Sequence, residues 1–180
     1  MGYKLIALDI DGTLLNSSNQ ITENVKEAIR KSKEKGVKVV LCTGRPLKGV
    51  ENFLDELNLK EEGDYVSTFN GALVQDAHTG KPISHLTLDY EDLCDLYDLS
   101  VEVGSRSHFY DTRTVYTFNR DVSDYTILEA YLTGVHLNVT ELDEVPKDIA
   151  MSKFMMIDHP EILNECIKKI PEEYYEKYTI

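Results

Sequence analysis

The feature that most constrains this chain is a pattern repeated three times in its first part: an apolar run that stops abruptly at a small polar cluster. Lys4 to Leu8 ends at Asp9-Ile10-Asp11-Gly12-Thr13-Leu14, Val37 to Cys42 ends at Thr43-Gly44-Arg45-Pro46, and Tyr65 to Phe69 ends at Asn70-Gly71. Short runs without polar alternation read as strands buried on both faces of a parallel sheet. Between the first two runs, Thr22 is placed to cap a helix whose apolar stripe is Ile21, Val25, Ala28 and Ile29, and Gly36 is placed to stop it. A second helix is suggested by Val50, Phe53, Leu54 and Leu57. Strand, helix, strand predicts parallel pairing with a right-handed crossover. Ligands in open α/β sheets bind beyond the carboxyl ends of the strands, so the three clusters are expected to converge on one site.

The texture changes after Thr79-Gly80, where Lys81-Pro82 starts another short strand. A helical stretch with Leu93, Leu96, Tyr97 and Val101 follows, then strands near Phe109-Tyr110 and Val115 to Phe118, and a helix around Tyr125 to Leu132. Strand-like segments near His136 to Val139 and Phe154 to Ile157 come next. A helix opened by Pro160, with Ile162, Leu163, Cys166 and Ile167 inward, precedes a final Tyr178 to Ile180. Helices separated by pairs of strands predict an α+β layer distinct from the first domain. The expected division is 1–83 and 84–180.

Hydrophobic residues make up 42% of the chain and charged residues 28%, enough for a packed core. The formal net charge of −13 opposes gripping a polyanion, so neither nucleic acid nor an anionic membrane is expected as a partner. An acidic chain that handles a phosphorylated substrate needs a local positive element, such as a divalent cation. Cys42, Cys94 and Cys166 are widely spaced with no C-x-x-C, which fits a reducing cytoplasm. The five histidines show no metal-ligand spacing. No secretory leader pattern and no membrane-spanning apolar run is evident, and a cytoplasmic location is expected.

Asp9 and Asp11, spaced by one residue after a buried strand, can both face the site, and Gly12 lets the backbone turn its amides toward an anion. Asp9 could attack phosphorus, and Asp11 could protonate the leaving oxygen and later deprotonate water. Alone, the string is also compatible with a solvated turn or a calcium loop. Thr43 is either a helix cap or a phosphate ligand. Arg45 is either a phosphate fork or a surface residue, and Asn70 and Gly71 are turn residues with a substrate-side role. Cys42 is expected to pack as a small buried hydrophobe.

The string DIDGTLL followed by a β-α-β unit ending in TGR resembles the first and second motifs of the haloacid dehalogenase superfamily. The strand ending in Asn70-Gly71-Ala72, with an α+β segment after it, is similar to its Cof-type branch of magnesium-dependent phosphatases acting on sugar phosphates and other small phosphoesters. The resemblance implies an α/β fold: a Rossmann-like parallel core, incomplete at the C-terminus, carrying an inserted α+β cap. It implies that Asp9 is nucleophile and magnesium ligand, and that Asp11 is acid/base and lends its main-chain carbonyl to the metal. It also implies that the Thr43 hydroxyl and the Gly44 amide hold the phosphoryl group. The family's third motif, a Lys, and its fourth, a Gly-Asp cluster, are not recognisable. Lys147, Lys153, Lys168 and Lys169 fall in the cap-like region, and Gly63-Asp64 precedes the third strand. The chain is therefore expected to be the N-terminal part of a longer phosphatase. Its first strand would then be an exposed edge able to self-associate. The alternative is a catalytically incomplete binding or regulatory protein of the same fold.

Overall fold

A computed structural model describes residues 2–180. They form two compact units, the residues up to Leu86 and Thr87–Ile180. The first contains β1 (Leu5–Asp9), α1 (Glu23–Glu34), β2 (Lys38–Cys42), α2 (Glu51–Glu56), β3 (Tyr65–Thr68), β4 (Leu73–Asp76) and β5 (Pro82–His85). Its sheet has the order β1-β2-β3-β4-β5. The first three strands are parallel, as the β-α-β pattern requires, and β4 and β5 then return antiparallel. This mixed α/β sheet has the expected parallel core, extended by a hairpin whose first strand the sequence pattern did not reveal. Leu73-Val74-Gln75-Asp76 alternates buried and half-buried residues and carries two polar side chains, so it lacks the apolar run that marks β1 to β3.

Helix α1 begins where expected. The Val25 N–H donates to Thr22 Oγ1 at 3.4 Å, and Gly36 beyond its end takes φ +77°. Ile29 is buried, but Ala28 is exposed, because it falls outside the stripe that meets the sheet. The core gathers Leu41, Leu54, Leu59 and Val66, all fully buried, with Leu8 of β1 against it. Each such side chain contributes about 1.5–3 kcal/mol relative to exposure. Burial on both faces fails for β1 itself. Leu5 is 55% exposed and Ala7 is exposed, because among the described residues β1 is an edge strand paired with β2 alone.

The second unit contains α3 (Tyr90–Val103), β6 (Ser107–Tyr110), β7 (Thr114–Thr117), α4 (Asp124–Thr133), β8 (His136–Val139), β9 (Lys153–Met156), α5 (Pro160–Ile167) and α6 (Glu172–Lys177). Its sheet order is β8-β7-β6-β9, with β7 and β8 parallel and β6 antiparallel to both neighbours. An Asp89/Asp92 capping box starts α3 and Gly104 at φ +85° ends it. Leu93 and Leu96 of α3 pack with Phe109, Tyr116 and Phe154. Alternate β6 residues, His108 and Tyr110, meet Thr126 and Glu129 of α4, so β6 is buried along its whole length. In α5 only Cys166 is buried. Ile162 and Ile167 point outward, contrary to the sequence reading, because the short helix presents a single line of contact. Tyr178 is not part of a strand; after α6 its hydroxyl lies 2.9 Å from a carboxylate oxygen of both Asp92 and Asp95, which share its one proton. No helix among the described residues is long and apolar enough to cross a membrane.

Candidate active site

The carboxyl ends of β1, β2 and β3 come together in the first unit. Asp9, the last residue of β1, lies opposite Cys42 in the parallel register, and Cys42 lies opposite Ser67 of β3. After Asp9 the backbone makes one wide turn, closed by the Leu15 N–H donating to the Ile10 carbonyl at 3.1 Å. Ile10 and Leu14 are buried and anchor this turn, while Asp11, Gly12 and Thr13 project outward. Gly12 sits at φ +78°, a left-handed conformation that a side chain there would strain.

Two acidic side chains only two residues apart have different surroundings. Among the described residues the exposed Asp9 carboxylate makes no hydrogen bond or ion pair. Asp11 is held by both of its oxygens: Arg45 Nε donates to Oδ2 at 2.9 Å and Nη2 to Oδ1 at 2.6 Å. This is the bidentate fork geometry in which Arg binds a carboxylate best.

The loop after β2 sorts its polar groups. The Thr43 carbonyl accepts from the Asn70 N–H at 3.0 Å, the Arg45 carbonyl from the Phe69 N–H at 3.2 Å, and Thr43 Oγ1 from the Arg45 N–H at 3.2 Å. The Thr43 N–H is spent on the Ser67 carbonyl at 3.0 Å. Among the described residues two donors here are left without an acceptor, the Gly44 N–H and the Thr43 O–H. Thr43 is buried, at 5% exposure, and the Arg45 N–H holds its hydroxyl oxygen in place.

The third strand closes the arrangement with a strained turn. Phe69, Asn70 and Gly71 take φ of +51°, +55° and +95° in succession. The conformation is ordinary for Gly and tolerable for Asn, but for a buried Phe it costs on the order of 1–3 kcal/mol. Asn70 packs so closely on Gly44 that a Cβ at position 44 would lie 2.6 Å from Asn70 Oδ1. The Asn-Gly pair signals such a turn in the sequence; the Phe69 conformation and the Arg45 grip on Asp11 have no local signal, because both depend on contacts between distant segments.

Cys42 is half-buried beside this cluster. Burial pushes its thiol pKa up, with the Asp9 charge adding to the shift and the Ser67 hydroxyl opposing it. A thiol so placed stays protonated at neutral pH and packs rather than attacks. Among the described residues, no group of three or more His, Cys, Asp or Glu side chains is placed to hold a metal ion.

Comparison with known proteins agrees with this architecture. The family model for haloacid dehalogenase-like hydrolases matches residues 6–180. The chain is 54% identical over 178 residues to YxeH, a candidate phosphatase of Bacillus subtilis (strain 168), covering 99% of this chain and 66% of the relative. It is 41% identical over 181 residues to a similarly named protein of Streptococcus pyogenes serotype M6, covering 100% of this chain and again 66% of the relative. The crystal structure of a haloacid dehalogenase-like hydrolase from Bacteroides thetaiotaomicron superposes with a TM-score of 0.76 at 26% identity, over 93% of this chain and 63% of that one. The chain thus spans just under two thirds of the length of these relatives. It belongs to the haloacid dehalogenase-like hydrolase family, in the Cof-type branch.

Proposed function

We propose that the protein carrying this chain hydrolyses small phosphomonoesters, sugar phosphates among them, through an aspartyl-phosphate on Asp9. The observation that carries this reading is the pairing of an uncommitted carboxylate at the end of β1 with two uncommitted donors at the end of β2. An Asp9 oxygen attacks phosphorus while the bond from phosphorus to the leaving oxygen breaks, and Asp11 gives that oxygen a proton. Water then attacks the aspartyl-phosphate and surrenders a proton to Asp11. The bond from Asp9 to phosphorus breaks, which restores the carboxylate and releases inorganic phosphate. The Thr43 O–H and Gly44 N–H take the charge that develops on the non-bridging oxygens. Gly12, Asn70 and Gly71 shape the loops around them.

The donor set suits magnesium: the Asp9 carboxylate and the Asp11 main-chain carbonyl are hard oxygens, and magnesium commonly rests on one or two protein oxygens with water and phosphate supplying the rest. When bound, the ion would neutralise charge on the transferring phosphoryl group. Thr87–Ile180 is read as the cap, on the strength of its α+β make-up and its place after the TGR and Asn-Gly segments. The test is hydrolysis of p-nitrophenyl phosphate with magnesium by the full-length protein and by its Asp9→Asn variant. Turnover in the first, and a loss of at least about a thousandfold in the second with an unchanged circular dichroism spectrum, are expected. Undiminished turnover by Asp9→Asn would sink the assignment.

A further inference from the structure

We infer that Arg45 is a positioning residue for Asp11 and not a ligand of the substrate phosphate; this rests on the phosphatase reading above. A guanidinium presents two edges that match a phosphate or carboxylate bidentately, Nε with one Nη and the pair of Nη atoms. Arg45 closes the first on Asp11, at 2.9 and 2.6 Å, and turns one nitrogen of the second to a main-chain carbonyl. The other terminal nitrogen, Nη1, reaches the Gly49 carbonyl at 3.4 Å, and the group lies 5.7 Å from the centre of the Phe53 ring. The main chain of Arg45 is tied down as well, through its N–H to Thr43 Oγ1 and its carbonyl to the Phe69 N–H. A side chain in contact on three sides, with its fork closed on a carboxylate, acts as a bracket.

The bracket has a chemical purpose. Asp11 stands on an outward-facing turn anchored at its ends by Ile10, Leu14 and Leu15, and its side chain is 54% exposed. Without Arg45 nothing among the described side chains would fix the plane of its carboxylate. The fork uses one lone pair on each oxygen, and a carboxylate has about four such sites, so an outward-facing lone pair remains on each for the proton in transit. The Asp9 carboxylate, by contrast, is left without partners, as suits the attacking atom.

The two roles for Arg45 separate by leaving group. An alkoxide leaves poorly unless Asp11 protonates it, whereas p-nitrophenolate leaves without a proton. Loss of a phosphate ligand would slow both substrates alike, because both present the same phosphoryl group. Loss of the Asp11 bracket would slow the alkyl ester selectively. The experiment measures kcat/KM of the full-length protein and of Arg45→Lys and Arg45→Gln, with a hexose 6-phosphate and with p-nitrophenyl phosphate, alongside thermal unfolding. The variants are expected to lose about 10²-fold or more toward the hexose phosphate and less than about tenfold toward the aryl ester, with competitive inhibition by inorganic phosphate nearly unchanged. Equal losses on both substrates, or weakened phosphate inhibition matching the loss in rate, would overturn the bracket while leaving the phosphatase reading intact. A wild-type protein inactive toward both esters would overturn both. If one variant fails to fold, the other carries the comparison.

Discussion

Lowering the pH through the mildly acidic range should destabilise the second unit through one residue, His108. Its side chain is fully buried, with Nδ1 3.0 Å from Thr126 Oγ1, Nε2 3.3 Å from the Met155 sulfur and the Tyr110 ring edge-on at 5.3 Å. Burial, helped by the nearby Lys153 charge, pushes its pKa from 6.5 down to about 3. The folded imidazole therefore stays neutral while the unfolded one takes up a proton from about pH 6.5 downward, so stability is complete above that pH and falls as acid is added. The slope approaches about 1.4 kcal/mol per pH unit, which amounts to about 2 kcal/mol between about pH 6.5 and 4.5. The chain has no Trp, so urea unfolding is best followed by far-ultraviolet circular dichroism. His108→Gln keeps a polar partner for Thr126 and removes the titrating group. Wild type should lose about 2 kcal/mol more than this variant across the window. His85, also lowered by burial, is present in both proteins and cancels. The depressed carboxylates Asp92, Asp95, Glu144 and Asp158 lose their contribution from the ordinary carboxylate range downward, and being present in both proteins they cancel as well. Parallel stability curves for the two proteins would refute the reasoning.

Gly44→Ala should displace Asn70, because the new Cβ would sit 2.6 Å from Asn70 Oδ1. A destabilisation of about 1–3 kcal/mol by thermal denaturation, with reduced turnover, is the expected result; a neutral substitution would show that the loop has room to give. Arg106→Met should strand the buried Asp158 carboxylate, which Arg106 Nη1 contacts at 2.9 and 3.0 Å. The His159 N–H still reaches it at 2.9 Å and Arg106 is partly exposed, so a lowered thermal midpoint rather than loss of the fold is expected. Adding Asp158→Asn should recover part of that drop, and a double variant no more stable than the single one would argue against the pairing.

The parallel core was legible because β1, β2 and β3 are apolar runs that end at Asp, Thr-Gly and Asn-Gly, where propensity, burial and turn chemistry agree. The antiparallel β4 was not, since Leu73 to Asp76 mixes polar and apolar residues. The outward apolar residues of α4 mislead in the same way. Thr126, Ala130 and Thr133 are buried there while Ile127, Leu128, Tyr131 and Leu132 are exposed. That helix covers the face of β6 bearing His108 and Tyr110, whose polar atoms need Thr126 and Glu129 as partners, so partner chemistry outranks hydrophobicity on its inner side. At the site, the spacing of Asp9 and Asp11 and the place of Thr43 after the second apolar run marked them as candidates, and the roles proposed for them come from the resemblance of those motifs. The Arg45 grip on Asp11 joins positions 34 residues apart, and no local pattern encodes it.

The strained turn at Phe69 links the fold to the proposed chemistry. A buried Phe at positive φ persists only where its surroundings over-determine it. Here the surroundings are the carbonyls of the loop after β2: the Phe69 and Asn70 N–H groups donate to Arg45 and Thr43. Those bonds turn two acceptors of the Thr-Gly-Arg loop toward the end of β3, and the Arg45 N–H occupies an acceptor site on the Thr43 hydroxyl. Among the groups the loop leaves uncommitted are two donors, the Gly44 N–H and the Thr43 O–H, next to a strand ending in an unpartnered carboxylate. A chain of net charge −13 repels anions as a whole, so an anion site on it needs local positive character, which concentrated donors and, in the proposed reaction, a bound cation would supply. The strain at Phe69 is in this sense a cost of making a local anion site, and relieving it without disturbing those two bonds should be hard. Phe69→Gly, which removes the conformational penalty, would also remove the buried ring that holds the turn in place.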